Sequence, residues 1–229
     1  MKDLQDELKA FLLQDGADLV GFADVSDVEI RNGQKTPSAI SLGIAYNREI
    51  LTNCDRDVDA FEKHLEATKK QIATLLLNCE NRLESNGFRA WIPPISTNLP
   101  GLLSDFSHKT AATKAGLGWV GKNCLFVSST YGCGIRLASV LTDAPLHAES
   151  PISESRCGEC VKCVEACPYG AIKGVAWHPG IGREKLFNAF LCSSAREKAI
   201  SKLGYKHPCG LCIKACPIGS AAGREESFG

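Results

Sequence analysis

Eight cysteines in the last third of the chain have the spacing of iron–sulfur ligands. The first run reads C-x2-C-x2-C-x3-C-P from Cys157 to Pro168, and the second reads C-x2-C-x3-C-P from Cys209 to Pro217. Cys192 lies seventeen positions before the second run. The longer pattern is typical of bacterial ferredoxins with two clusters, in which the fourth cysteine ligates the other cluster. Two [4Fe–4S] clusters need eight thiolates, and this region supplies them.

Because the last cysteine of each run ligates the other cluster, the eight cysteines divide into two sets of four. Short C-x2-C steps wrap the backbone around a four-iron cube, whereas the x3 step and the proline direct the fourth cysteine towards the neighbouring cluster. The predicted first set consists of Cys157, Cys160, Cys163 and Cys216. The predicted second set consists of Cys167, Cys192, Cys209 and Cys212.

Zinc and disulfides are the two other uses of clustered cysteines. Zinc sites built from C-x2-C pairs do not need the third cysteine and the C-x3-C-P step that follow here. Disulfide frameworks are typical of small secreted chains with a poor core, and this chain has 229 residues and no signal-peptide pattern. Cys192 is the least regular candidate, because it lacks a C-x2-C step; without it the second cluster would be three-coordinate or absent.

The composition is that of an ordinary globular protein, with 44% hydrophobic and 23% charged residues. No apolar run approaches the about 18 residues of a transmembrane helix, so no membrane partner is expected. Twelve cysteines without a secretion signal predict a cytoplasmic protein. A formal net charge of zero does not favour a broad nucleic-acid-binding surface. Lys and Arg gather between Arg183 and Lys206, either as a solvated helix face or as a docking patch for an acidic electron donor.

A second motif, KAGLGWVGKN, covers Lys114 to Asn123. Its three glycines would let the backbone bend sharply or approach a large flat group, and the Lys-Asn pair would add a cation and an amide donor. The motif is not a dinucleotide fingerprint, because a helix precedes it where a strand should be. The alternative interpretation is a helix cap followed by a tight turn.

Hydrophobic periodicity predicts the elements that carry these motifs. Helices are expected at about 4–15, 58–85 and 104–115, and strands at 19–25, 39–46, 88–92, 123–129 and 135–142, the last two as a hairpin. Two short helices at 161–166 and 211–215 and a longer one at 182–203, carrying Cys192, are expected among the cysteines. The predicted fold class is α+β, with a boundary at 145–151 that separates a first domain, 1–148, from a second domain, 149–229.

Taken together, the motifs resemble the epoxyqueuosine reductase family, which is related to reductive dehalogenases. The AGLGWVGKN run, the LTDAPL stretch at 141–146 and the CG-x-C-x2-C-x3-CP run follow one another as in that family. The resemblance is specific from about Lys109 to Pro217. It implies a nitroreductase-like, cobalamin-binding domain followed by a ferredoxin-like domain with two [4Fe–4S] clusters held by the eight cysteines. By matching position, the implied corrinoid contacts are Gly116, Gly118, Gly121, Lys122 and Asn123.

The chain departs from the family pattern in three places. Gapless counting puts Leu102 where the family has a general-acid aspartate, and Asp105 lies three residues away. The sequence ends soon after Pro217, so the C-terminal helical-repeat extension that the family uses with transfer RNA is not expected. The segment at 106–110 is also unlike the family. These departures argue against tRNA as a partner.

A reductase of this kind needs a general acid to protonate its product. The candidates are His108, Asp105 and Tyr131, in that order, because a histidine of ordinary pKa carries a proton at cellular pH. The principal hypothesis is a cobalamin-dependent reductase for a small molecule or a corrinoid protein. It would receive single electrons from a donor such as ferredoxin or flavodoxin. The alternatives are a ferredoxin-like electron-transfer protein without a catalytic cofactor, and a flavin (FMN) reductase.

Overall fold

The computed structural model describes residues 2–31, 33, 35–95, 100–198 and 208–219. The helices in these ranges are α1 Lys2–Gln14, α2 Arg48–Thr52, α3 Val58–Ser85, α4 His108–Lys114, α5 Lys162–Glu165, α6 Arg183–Leu186, α7 Ala189–Lys198 and α8 Leu211–Lys214. The strands are β1 Leu19–Asp24, β2 Ser38–Ala45, β3 Ala90–Trp91, β4 Trp119–Val120, β5 Phe126–Val127 and β6 Ile135–Thr142. The described fold is therefore mixed α/β.

A four-stranded antiparallel sheet in the order β1-β2-β6-β3 forms the centre of the N-terminal part. Its central strand β2 is buried along nearly its whole length, which agrees with its apolar sequence SAISLGIA. Alternate side chains point to opposite faces of a strand, so Ile40, Leu42 and Ile44 enter the main core while Ala39 and Ser41 face the other side. The sheet is thus covered on both faces.

Helices α1 and α3 pack on the large apolar face of the sheet, and α4 packs on the opposite face. The stripe predicted for α3 is confirmed, because Phe61, Ile72, Leu75 and Cys79 are all buried. The helix ends where Asn86-Gly87 was expected to end it. Small residues on the α4 face, such as Gly21 and Ser41, leave room for that helix to approach the sheet.

The predicted hairpin of 123–129 with 135–142 is wrong. Strand β6 pairs with β2 and β3, while the short β5 pairs with β4 in a separate two-stranded sheet. Only a bridge between Ser128 and Gly132 spans the intervening turn. The apolar run at 135–142 is buried by its central position in the large sheet. There it pairs with β2, a strand that is distant in sequence. Helix α4 also begins later than predicted, because the Ser107 side chain caps it at His108.

The C-terminal part consists of loops and short helices. The helix predicted at 182–203 is two helices, α6 and α7, because Phe187 is extended (φ −156°, ψ 135°) and pairs with Ile172. Residues 199–203 of that prediction lie outside the described residues. The short helices expected near 161–166 and 211–215 are present as α5 and α8. The division at 148/149 stays a prediction.

None of the helices within the described ranges is long and apolar enough to cross a membrane.

Candidate iron–sulfur site

The eight cysteines gather around α5 and α8, which pack against each other. Cys163 lies in α5 and Cys212 in α8, and the remaining six lie in the neighbouring loops or, for Cys192, in α7. All eight are half-buried. Cys209 and Gly210 both have positive φ (62° and 75°), so the chain turns sharply just before α8. This turn brings the second cysteine run alongside the first.

Several of the eight thiols lie close enough to one another to interact electrostatically. Burial raises the pKa of the Cys163 thiol to about 11, and Cys157, Cys216 and Cys160 add to the rise. Burial raises the pKa of the Cys212 thiol to about 12, and Cys209, Cys192, Cys163 and Cys167 add to the rise. The division into two sets of four and the ligation of clusters by these sets stay predictions.

In the part of the chain that the structure describes, no three His, Cys, Asp or Glu side chains converge closely enough to hold one metal ion. The prediction of two [4Fe–4S] clusters therefore depends on the spacing of the eight cysteines in the sequence.

Cys216 of the first set packs beside the buried Cys133 side chain, in a cluster that also contains Trp119 and Val127. The neighbouring Cys133 is the largest cause that lowers the pKa of Cys216, to about 6, and burial opposes this effect.

Residues of the glycine motif connect the N-terminal part to the first set. Lys122, which is only 7% exposed, donates from Nζ to the carbonyl oxygen of Gly158 at 2.7 Å. Asn123 donates from Nδ2 to the Cys133 sulfur at 3.4 Å and to the Cys212 carbonyl oxygen at 3.5 Å. Both side chains are buried against the cysteine loops.

The three glycines of the motif are required by the packing of the chain itself. Gly116 ends α4 with φ +67°, and a Cβ there would lie 2.7 Å from the Ser150 carbonyl oxygen. At Gly118 a Cβ would overlap the Val127 carbonyl group, and at Gly121 it would lie 2.8 Å from a Val127 methyl group. The spaces left by these glycines are filled by the protein. Corrinoid contact by these residues stays a prediction.

His108, the first general-acid candidate, lies at the start of α4. Its Nδ1 is 3.2 Å from the Ser139 hydroxyl and its Nε2 is 3.4 Å from the Pro94 carbonyl oxygen. Burial lowers the pKa of the imidazole to about 4, against a smaller opposing effect of the Pro94 hydrogen bond. The ring is therefore neutral near pH 7, which argues against an imidazolium acid in this state of the protein.

The other two candidates lie elsewhere. Asp105 is half-buried, and its carbonyl oxygen accepts a hydrogen bond from the Arg31 N–H. Burial raises the pKa of Tyr131, and the Asp18 carboxylate adds to the rise, which places this ring near the end of the sheet. Ser139 is the residue of β6 that contacts His108. It lies four residues from Ile135, where β6 begins, and at about 3.3 Å per residue these two residues are roughly 13 Å apart. The structure thus does not bring Tyr131 to His108.

Leu102, at the position of the family's aspartate, has a positive φ of 53°. Arg183 holds this loop by donating to the carbonyl oxygens of Leu102 (2.7 Å) and Gly101 (2.9 Å). The loop is therefore attached to the C-terminal part through α6.

Sequence reasoning overlooked two residues beside the first set. Cys133, which has no place in the two cysteine runs, is 3% exposed and packs beside Cys216. Arg48, whose charge also lowers the pKa of Cys216, is not part of any of the sequence motifs. Neither contact has a signal in local spacing, because each joins segments more than 80 positions apart in sequence.

Comparison with known proteins supports the cluster site. Residues 156–219 match the model of the 4Fe-4S double cluster binding domain. An epoxyqueuosine reductase of Bacillus subtilis is 31% identical over 118 residues, covering 50% of this chain and 29% of the relative. One from Listeria monocytogenes is 35% identical over 116 residues, covering 49% and 30%. The chain therefore spans about 30% of the length of these relatives.

Solved structures share the fold. Epoxyqueuosine reductase from Bacillus subtilis, with its catalytic aspartate loop swung out of the active site, gives a TM-score of 0.63 at 21% identity over 98% of this chain and 67% of that one. A catabolic reductive dehalogenase gives a TM-score of 0.69 at 20% identity over 93% and 31%. At these identities the similarity shows the fold alone.

The expectation against tRNA is wrong. The matched relatives are epoxyqueuosine reductases, and one structural neighbour (TM-score 0.61, 22% identity, 98% of this chain and 67% of that one) was solved with an epoxyqueuosine-modified tRNA-Tyr stem loop. The expectation rested on departures near Leu102 and after Pro217, and these leave the shared fold unchanged.

The chain is therefore similar to epoxyqueuosine reductases over about half of its length, it shares a fold with these proteins and with reductive dehalogenases, and its residues 156–219 match a 4Fe-4S double cluster binding domain.

Proposed function

We propose that this protein is an iron–sulfur reductase in which two [4Fe–4S] clusters pass single electrons to a reducible group in the N-terminal part. The observation that carries the proposal is the match of residues 156–219, which contain all eight half-buried cysteines, to a 4Fe-4S double cluster binding domain. Cys163 of the first set acts on Cys212 of the second, so the two clusters would be neighbours. Neighbouring clusters allow an electron to pass from one to the other.

Anaerobic reconstitution followed by iron and sulfide analysis tests this proposal. Two clusters require about eight irons and about eight sulfides per chain. A protein that takes up zinc instead, or that holds four irons or fewer under these conditions, would contradict the proposal.

We propose a corrinoid as the group that receives the electrons, because one structural neighbour was solved to explain B12-dependent dehalogenation. When bound, a corrinoid supplies a cobalt centre that accepts single electrons. In the described structure Lys122 and Asn123 donate to carbonyl oxygens of the cysteine loops, and the three glycines are packed against other parts of the chain. That observation favours the alternative of an electron-transfer protein without its own catalytic cofactor.

Titration of cluster-loaded protein with cobalamin separates these two possibilities. Binding with the base-off absorption spectrum supports the reductase, and no affinity for cobalamin or FMN supports the electron-transfer alternative. Gly121→Ala is an informative variant, because its Cβ would meet Val127 and Asn123 within the chain. If the glycine contacts only the protein, this variant should lose cluster stability and cobalamin affinity together.

The matched relatives suggest the substrate to test first. We propose an epoxyqueuosine-modified tRNA stem loop as the candidate, on the basis of the names of those relatives. Loaded, reduced protein should deplete epoxyqueuosine in such a stem loop, measured by mass spectrometry of the nucleosides. An unmodified stem loop is the control, and no depletion by protein that retains both clusters and cobalamin would reject this substrate.

The role of His108 can be tested through its proton. Because its folded pKa of about 4 lies below the ordinary value of about 6.5, the unfolded chain binds this proton at higher pH than the folded protein. Stability therefore falls as the pH decreases from about 6.5 towards about 4. His108→Gln should lose less stability between pH 7 and pH 5 than the natural protein, with His147→Gln as an exposed control.

The same variant tests catalysis by His108. If this residue protonates the product, His108→Gln should abolish turnover while leaving cluster content and cobalamin affinity unchanged. Unchanged turnover would reject the role and leave Asp105 and Tyr131 as candidates.

A further inference from the structure

Trp119 carries a buried hydrogen-bond donor that has no acceptor. This residue begins β4 and is only 3% exposed. Its indole Nε1 can only donate, and within the described part of the chain this atom is buried and has no hydrogen-bond partner. Buried polar groups of folded proteins nearly always have a partner, so this N–H calls for an acceptor that the chain itself does not supply.

Strand β4 directs the Trp119 side chain away from α6. Successive side chains of a strand point to opposite sides. Val120 accordingly packs with Leu186 of α6, whereas Trp119 packs with Val127 in a different hydrophobic cluster. The side of the strand on which Trp119 lies is therefore distinct from the side that meets α6.

The side of β4 that carries Trp119 faces the first cysteine run. The Gly121 N–H donates to the Leu125 carbonyl oxygen at 2.8 Å, which continues the pairing of β4 with β5 by one residue. Gly121 is two positions after Trp119 and therefore faces the same side. A Cβ at Gly121 would lie 3.7 Å from the Cys157 sulfur. Trp119 thus shares its side of the strand with a predicted cluster ligand.

Two contacts of the indole ring agree with this position. The Arg156 guanidinium lies over the Trp119 ring, with 5.7 Å between its Cζ and the ring centroid, and Arg156 directly precedes Cys157. The hydrophobic cluster that contains Trp119 also includes Cys157 and Cys216, both of which belong to the predicted first set. The unpaired N–H is therefore part of the packing around the first set.

The missing acceptor fits the group that this set is predicted to hold. No oxygen, nitrogen or sulfur atom of the described chain accepts from Trp119 Nε1. A [4Fe–4S] cluster adds its own inorganic sulfides to the thiolates of its ligands, and protein hydrogen bonds to these sulfurs are one of the factors that set its potential. A buried donor beside two predicted ligands is the arrangement that such a cluster would complete.

We propose that the Trp119 indole N–H donates a hydrogen bond to a sulfide of the first cluster and thereby raises the reduction potential of that cluster. This inference rests on the cluster part of the proposed function. Reduction adds negative charge to the cluster, so a donor directed at one of its sulfides stabilises the reduced form more than the oxidised form.

Redox titration followed by electron paramagnetic resonance tests the effect on potential in the cluster-loaded full chain. Trp119→Phe removes the N–H and retains an aromatic ring. One of the two midpoint potentials should fall while the other stays unchanged. A tenfold change in the reduction equilibrium corresponds to about 59 mV for one electron, and we expect a shift of up to this size.

Pulsed electron paramagnetic resonance tests the hydrogen bond itself. In protein whose tryptophans carry ¹⁵N in the indole ring, one reduced cluster should show a coupling to ¹⁵N and to a proton that exchanges in D₂O. Trp119→Phe should lose both couplings.

Trp177→Phe is the matched control. Trp177 packs against the same hydrophobic cluster, but it is half-buried. The same change of ring at this position should leave both potentials and both couplings unchanged.

Three results would overturn the inference. They are unchanged potentials in Trp119→Phe, a rise of the potential in that variant, and the absence of ¹⁵N coupling in the natural sequence. A rise would indicate that the ring acts only by excluding water from the cluster, since solvent exposure also sets the potential.

A tryptophan analogue with sulfur in place of the N–H covers the case in which Trp119→Phe loses the first cluster. The chain has three tryptophans, so the analogue is incorporated where Trp91 and Trp177 are replaced by Phe. It should lower the same potential relative to tryptophan in that background. An unchanged potential, or loss of the cluster with the analogue too, would mean that Trp119 has only a structural role. Iron analysis of the natural protein tests the proposed function separately, so the two failures are distinguishable.

Discussion

The two cysteine runs are attached to the N-terminal part in different ways. At the first run, the buried Lys122 donates to the Gly158 carbonyl oxygen at 2.7 Å. At the second run, the Lys214–Asp55 ion pair spans 2.6 Å, and its side chains are 28% and 39% exposed. The first attachment is buried, whereas the second is partly open to solvent.

A buried thiol of the N-terminal part lies beside each run. Cys133 packs beside Cys216, whereas Cys54 packs 3.0 Å from the space a Cβ would take at Gly210, next to Cys209. Burial raises the pKa of Cys54 to about 11, with Asp55 adding to the rise. Both thiols therefore fill space next to predicted cluster ligands.

The largest effect is expected from removing single ligands. Cys216→Ala and Cys163→Ala should each remove the first cluster, although these residues belong to different runs, and Cys212→Ala and Cys167→Ala should each remove the second. Iron content should fall from about eight to about four per chain in every case. The spectra of the remaining cluster should match within each pair. Matching of Cys163→Ala with Cys167→Ala instead would show that each run holds its own cluster.

A smaller effect is expected from adding a methyl group to the closely packed turn at Gly132, beside the first set. Gly132→Ala combines a positive φ of 61° with overlap on the Ile218 carbonyl group, and should destabilise the loaded protein by about 2–5 kcal/mol. Gly170→Ala is the control, because its φ is 62° and nothing lies within 4 Å of its added Cβ. This variant should cost only about 1–2 kcal/mol. The measurement is the temperature at which absorbance near 400 nm is lost.

Equal losses in Gly132→Ala and Gly170→Ala would contradict the close approach of the turn to Ile218.

The smallest effects are expected from the two lysines that join the parts. Lys122→Met removes a buried, charge-assisted hydrogen bond, which should cost about 1.5–3 kcal/mol. Lys214→Met removes a partly exposed ion pair, which should cost about 0–1 kcal/mol and depend on salt. Thermal loss of the clusters at low and high salt compares the two variants. A larger loss in Lys214→Met would reverse the proposed order of the two attachments.

The sequence predicted correctly those elements whose stabilising contacts are between residues close together in the chain. The α3 stripe from Phe61 to Cys79 repeats at helical spacing, and the helix forms where that repeat predicts. Short helices at α5 and α8 follow from the cysteine runs in the same way. The cysteine spacing also predicted a double-cluster module, and residues 156–219 match a 4Fe-4S double cluster binding domain.

The sequence did not predict which strands pair when they are far apart in the chain. The partner of β6 is β2, some ninety positions away, and nothing in the turn at Tyr131-Gly132 distinguishes that pairing from a hairpin. The break at Phe187 likewise follows from its bridge to Ile172. For His108, the sequence indicated a titratable ring at ordinary pKa, while burial against Ser139 and Pro94 lowers that pKa to about 4.

The sequence by itself determined that eight thiols occur in a spacing suited to two iron–sulfur clusters, because ligand spacing is a property of the local backbone. Only the tertiary structure decided what surrounds those thiols. It shows that the glycine motif is packed by Val127 and Ser150, that Lys122 and Asn123 face the cysteine loops, and that Cys133 packs beside Cys216. Such contacts depend on how distant segments are packed together, and hydrogen bonds and burial act on a group only through its neighbours in space.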